Sequence, residues 1–261
     1  MGAPQIRYEA RTGIARLTID QPAKFNAMAY DMWLSLPELV ARADADPAVR
    51  IIELTGEGPK AFCAGADISQ FGEKRNDPES VRAYEAAVRA GMQSLVDARK
   101  PSVAVIRGVC FGGGLALALC ADLRLCDGAA RFRIPAARLG LGYTYTNIEA
   151  LSHKIGVVAA ADLLLSARIV DAKDAERMGL VNKCWPENFD VEAGKYLSDM
   201  ATNAPLTMAA LKRAFAELAK PRAERNKPAV DALVQACFDS EDYREGQAAF
   251  AEKRTPDFKG K

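Results

Sequence analysis

The chain has 261 residues, of which 49% are hydrophobic and 26% are charged. A chain of this length and composition buries one large core or two smaller ones, which excludes an intrinsically disordered protein. Its 35 Lys and Arg residues nearly balance 34 Asp and Glu residues, for a formal net charge of +1. The net charge is therefore too small to give the global positive field that is typical of proteins that bind nucleic acids or membrane surfaces.

Targeting signals and reactive side chains further restrict the class of protein and the kinds of site that it can have. The longest apolar stretch without charge, residues 108–121, is shorter than the roughly 18 residues that a membrane span requires. The N-terminal segment has no apolar run after a basic start, so we expect no secretory signal and a cytoplasmic protein. Six cysteines without CxxC spacing predict reduced core thiols. The single histidine, His153, argues against a metal site or a Ser-His-Asp triad, and we expect it at the surface.

The first 56 residues predict strands around one helix. Strand-like runs cover 5–10, 14–20 and 49–56, and the segment 30–46 has helical composition. Pro37 lies inside that segment and is expected to kink the helix or to begin a new one, because proline removes a helical hydrogen bond.

The middle of the chain alternates helix and strand, and the last third is predicted to be helical. Apolar residues three and four apart predict an amphipathic helix from residue 78, followed by a strand, a glycine turn, a buried helix and a second strand, which is an α/β pattern. Beyond Val157 the helical candidates are 158–167, 190–202, 205–220 and 239–254. We therefore expect a core of residues 1–189 and a C-terminal helical module of residues 190–261.

Two segments place small residues where backbone can approach a ligand closely. They are 60–68, which follows the third strand, and 108–114, which ends in three glycines before an apolar helix. Glycines at a helix start leave N–H groups without acceptors, and the helix dipole adds partial positive charge, so an oxyanion can bind there. The triple glycine alone is equally compatible with a tight turn and close helix packing, and neither GxxxxGK[ST] nor GxGxxG is present.

Several blocks in a fixed order carry a resemblance to a known family. They are PAKFNAM at 22–28, AFCAGADI at 61–68, RGVCFGGG at 107–114, ADLR at 121–124, the run 163–184 and AFAEKRTPDF at 249–258. Over nearly its whole length the chain resembles the crotonase superfamily, the enoyl-CoA hydratase/isomerase family. The resemblance implies an α/β fold with a ββα superhelical core and a C-terminal trimerisation module, homotrimers or hexamers, and an acyl-CoA substrate. It implies no cofactor besides the CoA of the substrate, and we expect no metal. The near-neutral charge and the lack of a long apolar stretch predict no nucleic-acid or membrane partner.

The same resemblance assigns roles to individual residues. The N–H groups of Ala66 and Gly113 would hold the thioester oxygen. Contacts with CoA would come from positions spread over the chain, namely Lys24, Phe25, Ala64, Asp67, Ile68, Phe250 and Lys253. Lys24 and Lys253 could equally be solvated surface charges, and Asp67 could brace the turn that presents Ala66.

The catalytic positions depart from the family pattern. Hydratases of the family carry two glutamates, and the matching positions here are Ala116 and Ala136. No Asp or Glu occurs in 108–121 or 128–148, so standard two-glutamate hydration is not expected.

Two other residues are candidates for the chemistry. Tyr143 falls where a superfamily decarboxylase of methylmalonyl-CoA has a tyrosine, although that enzyme has a histidine at the position of Ala66; Tyr143 could also be packing. Glu149 is the nearest acid downstream, and it could be an unorthodox acid or a helix-dipole charge. The hypotheses are a hydratase or isomerase using Glu149, a malonyl-type CoA decarboxylase, and a non-catalytic acyl-CoA-binding protein.

Overall fold

The computed structural model describes residues 3–74 and 76–261, so Met1 and Gly2 of the N-terminal segment lie outside it. The strands in chain order are β1 (Gln5–Arg11), β2 (Ile14–Asp20), β3 (Ile51–Gly56), β4 (Ala61–Cys63), β5 (Ser102–Ile106), β6 (Val109–Phe111), β7 (Leu123–Asp127), β8 (Arg131–Arg133), β9 (Val170–Asp171) and β10 (Lys183–Trp185).

The helices complete the chain. They are α1 (Tyr30–Ala45), α2 (Phe71–Lys74), α3 (Pro78–Asp97), α4 (Gly113–Cys120), α5 (Ala136–Leu139), α6 (Tyr145–Ser166), α7 (Ala172–Arg177), α8 (Phe189–Ala201), α9 (Pro205–Leu218), α10 (Lys227–Asp239) and α11 (Glu241–Glu252). No helix in the described ranges combines the length and apolar character of a membrane span.

The strands form two sheets. One has six strands in the order β1-β2-β3-β5-β7-β10, and the other has four in the order β4-β6-β8-β9. In the six-stranded sheet, β1 and β2 pair as an antiparallel hairpin, and β2, β3, β5, β7 and β10 are parallel. In the four-stranded sheet β4, β6 and β8 are parallel, and β9 is antiparallel to β8. Every residue of β3 and β5 is buried, as expected for parallel strands covered on both faces. The α/β fold predicted from the sequence is confirmed.

Helices α1 and α3 pack together over the main core. Of the two outcomes predicted at Pro37, the start of a new helix is wrong, because α1 runs through Pro37 as one helix. The lost hydrogen bond is offset by burial of Trp33, Leu36 and Val40 on the same helix, since full burial of each large apolar side chain contributes about 1.5–3 kcal/mol. Gly91 of α3 allows close approach, because a Cβ there would lie 3.1 Å from the Trp33 ring.

The short elements are those that the sequence patterns did not predict. β4, β6, β8, β9 and β10 have two or three residues each, which is too few to show a period of two. They include the entire second sheet, which carries the segments next to Gly113. Helix α10 was also missed, and α6 is interrupted at Gly156, where φ is 79° and ψ is 156°.

The C-terminal helices differ in how many of their side chains are buried. Helix α8 packs Phe189, Ala193 and Leu197 into a second cluster against the six-stranded sheet. Helix α10 has no buried residue, and it contacts α9 and α11. The division between core and helical module at residue 189 remains a prediction.

Candidate active site

Ala66 lies just after β4 and is held by the segment before α1. It forms an isolated parallel bridge with Met28. The Met28 N–H donates to the Gly65 carbonyl at 2.8 Å, and the Asp67 N–H donates to the Met28 carbonyl at 2.9 Å. In a parallel bridge these flanking groups face the partner, so the N–H of Ala66 faces away from it. Within the described ranges that N–H has no acceptor.

Gly113 begins α4, so its N–H is one of the helix's first, unpaired donors. Gly112 before it is fixed by an N–H donation to the Arg133 carbonyl at 2.8 Å. The Gly113 N–H has no acceptor among the described residues. The positive end of the helix dipole lies at the same point, which favours a negatively charged group there.

Close packing of α4 on β4 brings the two amides together. A Cβ built on Gly114 would lie 2.2 Å from the Cys63 carbonyl oxygen, so only glycine permits this approach. A Cβ built on Gly113 would lie 3.7 Å from the Ala66 nitrogen. Gly65 has φ of +117°, a conformation that side chains rarely adopt, and it turns the chain into Ala66. Two unpaired donors from separate elements are therefore neighbours.

Residues 21–28, which we call the bracket, wrap around the Ala66 segment. Asn26 is 1% exposed, and its side-chain amide donates to the carbonyls of Glu57 at 3.0 Å and Ala61 at 2.6 Å. The Ala64 N–H donates to the Phe25 carbonyl at 3.0 Å. Phe25 and Asn26 both have positive φ, of 52° and 55°. Such strain persists where surrounding contacts over-determine the backbone, and it is concentrated at functional sites.

Lys24 and Asp67 form an ion pair between the bracket and the residue after Ala66. The Lys24 Nζ lies 2.7 Å from Asp67 Oδ2 and 2.6 Å from Ser69 Oγ. Asp67 also accepts from the Ser69 hydroxyl at 2.7 Å. Burial alone raises the pKa of the Asp67 carboxyl, but hydrogen bonds from Lys24 and Ser69 and the Lys24 charge lower it overall. Asp67 is thus ionised at neutral pH.

The two positions that matched glutamates lie beside Gly112 and Gly113. Ala116 is in α4, and its N–H donates to the Gly112 carbonyl at 3.0 Å. Ala136 is buried at the start of α5, directly after Pro135, whose Cδ would lie 3.8 Å from a Cβ on Gly112. Neither position has a carboxyl group, and no neighbour in 108–121 or 128–148 supplies one.

Tyr143 and Glu149 differ in their surroundings. Tyr143 is partly buried and packs against the main core cluster. Burial raises the pKa of its phenol, because it disfavours the phenolate. The hydroxyl therefore stays protonated at neutral pH. Glu149 is exposed on α6.

Comparison with known proteins decides the family. The enoyl-CoA hydratase/isomerase family profile matches residues 9–261. The chain belongs to the enoyl-CoA hydratase/isomerase family. It is 31% identical over 261 residues to the carnitinyl-CoA dehydratase of Proteus mirabilis, covering 98% of both chains. It is 31% identical over 259 residues to the crotonyl-CoA hydratase of Syntrophomonas wolfei, covering 99% of both chains.

Solved structures agree with this assignment. An enoyl-CoA hydratase/carnithine racemase from Magnetospirillum magneticum superposes with a TM-score of 0.90 at 32% identity, covering 98% of this chain and 96% of that one. An enoyl-CoA hydratase from Bacillus anthracis gives a TM-score of 0.90 at 25% identity, covering 98% and 99%. The resemblance seen in the sequence is confirmed, and the chain is an enzyme of the hydratase/isomerase family.

The structure brings together some of the family-implied residues and separates others. Lys24, Phe25, Ala64, Ala66 and Asp67 meet at the bracket, and Ile68 follows them with 75% of its surface exposed. Phe250 is 87% exposed at the end of α11, where it lines an apolar cavity of about 630 Å³ with α9 and α10. Lys253 directly follows that helix and is also exposed. Their contacts with CoA remain predictions.

The residues that shape the site without lining it were not predicted from the sequence. Gln21 donates from its side chain to the Ala27 carbonyl at 2.6 Å and to Asp67 Oδ2 at 3.3 Å. Arg133 supplies the carbonyl that fixes Gly112, and it lies on a strand of three residues. Asn26 lies inside a block that carried the family resemblance, but its buried bonds depend on strands far along the chain. The position of Asn26 within that block was the only available signal.

Proposed function

We propose that the protein binds an acyl-CoA thioester with its carbonyl oxygen between the N–H groups of Ala66 and Gly113. The observation that carries this proposal is the proximity of two unpaired amides, one of them at a helix N-terminus. When negative charge develops on the thioester oxygen, each well-placed donor lowers the barrier by roughly 3–4 kcal/mol. Backbone donors need no functional side chain, which is compatible with Ala and Gly at these positions. The common intermediate is a thioester enolate.

The chemistry on that enolate is not the two-glutamate hydration of the family. Water addition needs one group to activate water and another to deliver a proton, and Ala116 and Ala136 can do neither. Loss of one such group typically costs roughly 10²–10⁴-fold. The relatives named crotonyl-CoA hydratase and carnitinyl-CoA dehydratase suggest an acyl-CoA substrate. A hydratase or isomerase activity here would need an unorthodox acid, for which Glu149 is the nearest candidate.

Tyr143 favours a second candidate, decarboxylation of a malonyl-type CoA. Cleavage of the Cα–carboxylate bond leaves its electron pair on the thioester as the enolate and releases CO₂, so no base is required. The enolate then takes one proton at Cα. The phenol of Tyr143, whose pKa is raised by burial, is protonated at neutral pH, and its role in this proposal is to donate or relay that proton. The absence of carboxylates from 108–121 and 128–148 also avoids repulsion of a substrate carboxylate.

A homotrimer or hexamer is part of the proposal. Helix α10 has no buried residue, and its apolar side chains Leu233, Val234 and Phe238 are 38%, 42% and 53% exposed. Exposed apolar side chains on one face favour burial against another copy of the chain. Sedimentation analysis of the purified protein tests this assignment, and a monomer at micromolar concentration would contradict it.

A panel of acyl-CoA esters tests the reaction. We expect mass spectrometry after long incubation to detect product from at least one ester, with methylmalonyl-CoA and crotonyl-CoA as the diagnostic pair. Tyr143→Phe should slow decarboxylation, and Glu149→Gln should slow hydration or isomerisation. Crotonyl-CoA turnover that survives both substitutions would contradict both residue roles. Binding by calorimetry without product from any ester would identify a non-catalytic acyl-CoA-binding protein.

A further inference from the structure

The Lys24–Asp67 pair ties the bracket to the residue that follows Ala66. Asp67 is 3% exposed, whereas the Lys24 side chain is 47% exposed. The carboxylate accepts hydrogen bonds from Lys24, Gln21 and the Ser69 side chain and N–H. One buried carboxylate therefore receives donors from both sides of the Ala66 segment. These bonds fix the Asp67 side chain, one residue after the Gly65–Ala66 peptide, which carries the Ala66 N–H.

The backbone contacts on either side make this peptide sensitive to the pair. The bracket holds the Ala66 segment through three backbone hydrogen bonds, two of them to Met28 and one to Phe25. Phe25, directly after Lys24, is in a left-handed conformation that does not persist without external contacts. Loss of the ion pair removes the side-chain link from this strained turn to Asp67. The Ala66 N–H then loses part of its fixed direction.

The charge of the Asp67 carboxylate gives a second reason why the ion pair with Lys24 would affect the oxyanion site. The Asp67 carboxylate lies one residue from an amide proposed to stabilise an oxyanion. An uncompensated buried carboxylate at that place would oppose development of negative charge on the thioester oxygen. Lys24 supplies the compensating charge through a direct contact.

We propose that Lys24 and Asp67 form a positioning pair that fixes the Ala66 amide and neutralises the carboxylate beside it. The inference rests on the proposed oxyanion role of Ala66. A lysine ammonium has three N–H groups, of which two are used on Asp67 and Ser69. The third remains available for a CoA phosphate, so kinetics with the complete CoA ester alone cannot separate the two roles.

A truncated substrate separates the positioning role of Lys24 from a contact with a CoA phosphate. Lys24→Met should lower kcat by about tenfold to a hundredfold, the range that misplacement of a catalytic group can cause. The same factor is expected with the acyl-CoA ester identified by the panel and with its pantetheine thioester, which lacks the nucleotide phosphates. Lys195→Met changes an exposed lysine on α8 and should leave both rates unchanged. A loss restricted to KM for the CoA ester would overturn the proposal and identify a phosphate contact.

A spectroscopic measurement keeps the proposal testable without turnover. We expect the carbonyl stretch of a ¹³C-labelled thioester to shift to lower frequency on binding to the wild-type protein, because hydrogen bonds polarise the carbonyl. Lys24→Met should return the band toward its solution position, and the double variant Lys24→Met/Asp67→Asn should recover part of the shift because the uncompensated charge is gone. A wild-type shift that Lys24→Met leaves unchanged overturns the positioning role alone. No shift in the wild-type protein contradicts the oxyanion site itself.

Discussion

An amide-to-ester replacement at Gly113 tests the proposed oxyanion site most directly. Incorporation of glycolic acid at position 113 by nonsense suppression replaces the N–H with an oxygen of similar size. The Gly113 N–H has no acceptor among the described residues, so its removal should cost little folding stability. The same donor is proposed to contact the thioester oxygen, where its loss costs about 3–4 kcal/mol of barrier. We expect kcat to fall by about 10²–10³-fold with melting temperature nearly unchanged.

The matched control is an amide-to-ester replacement at Ala116, about one helical turn after Gly113. An ester at Ala116 breaks a hydrogen bond to the Gly112 carbonyl of 3.0 Å. We expect it to reduce stability by about 1 kcal/mol and to leave kcat within a few fold, because that N–H already has a helical acceptor. Stopped-flow or discontinuous assays on the ester identified by the panel measure both variants. Equal kcat values for the two ester variants would refute the assignment of Gly113 as an oxyanion donor.

Three further results are expected. Gly114→Ala should destabilise the fold by about 3 kcal/mol in urea unfolding, because the new Cβ meets the Cys63 carbonyl at 2.2 Å, whereas Gly113→Ala should cost less than 1 kcal/mol; equal losses would contradict the close packing of α4 on β4. Asp67→Asn should cost about 2 kcal/mol at pH 7. The pKa of Asp67 is lowered in the fold, so its stabilisation is complete above the unfolded-state pKa and is lost as pH falls through the folded-state pKa. The difference between wild type and variant should therefore shrink on acidification, and a difference independent of pH would exclude the charged interaction. Burial raises the pKa of Cys63 to about 12, so this thiol should resist a thiol reagent at pH 8 until denaturant is added, as mass mapping of the labelled peptides would show. Rapid labelling of Cys63 in the native protein would contradict its buried position.

Helices and strands that are long enough to show a periodic or bounded apolar pattern were predictable from the sequence. β1, β2 and β3 were predicted from apolar runs bounded by turn residues, and α3 from apolar residues at three- and four-residue steps. The sequence left open whether α1 continues through Pro37 or a new helix begins there, and the structure shows the continuation. It depends on burial of Trp33 and its neighbours, which compensates locally for the missing hydrogen bond.

The family was predictable from the sequence alone, since several blocks occur in the expected order. The family resemblance implied that Ala66 and Gly113 act on one oxygen, but only the tertiary structure shows how they become neighbours. These residues are brought together by α4 packing on β4 and by bonds between strands of three residues, which have no periodic signal of their own. The Lys24–Asp67 pair likewise joins residues 43 positions apart in the chain. Local patterns specify helices and strands, but long-range packing alone determines which unpaired amides and which charges become neighbours.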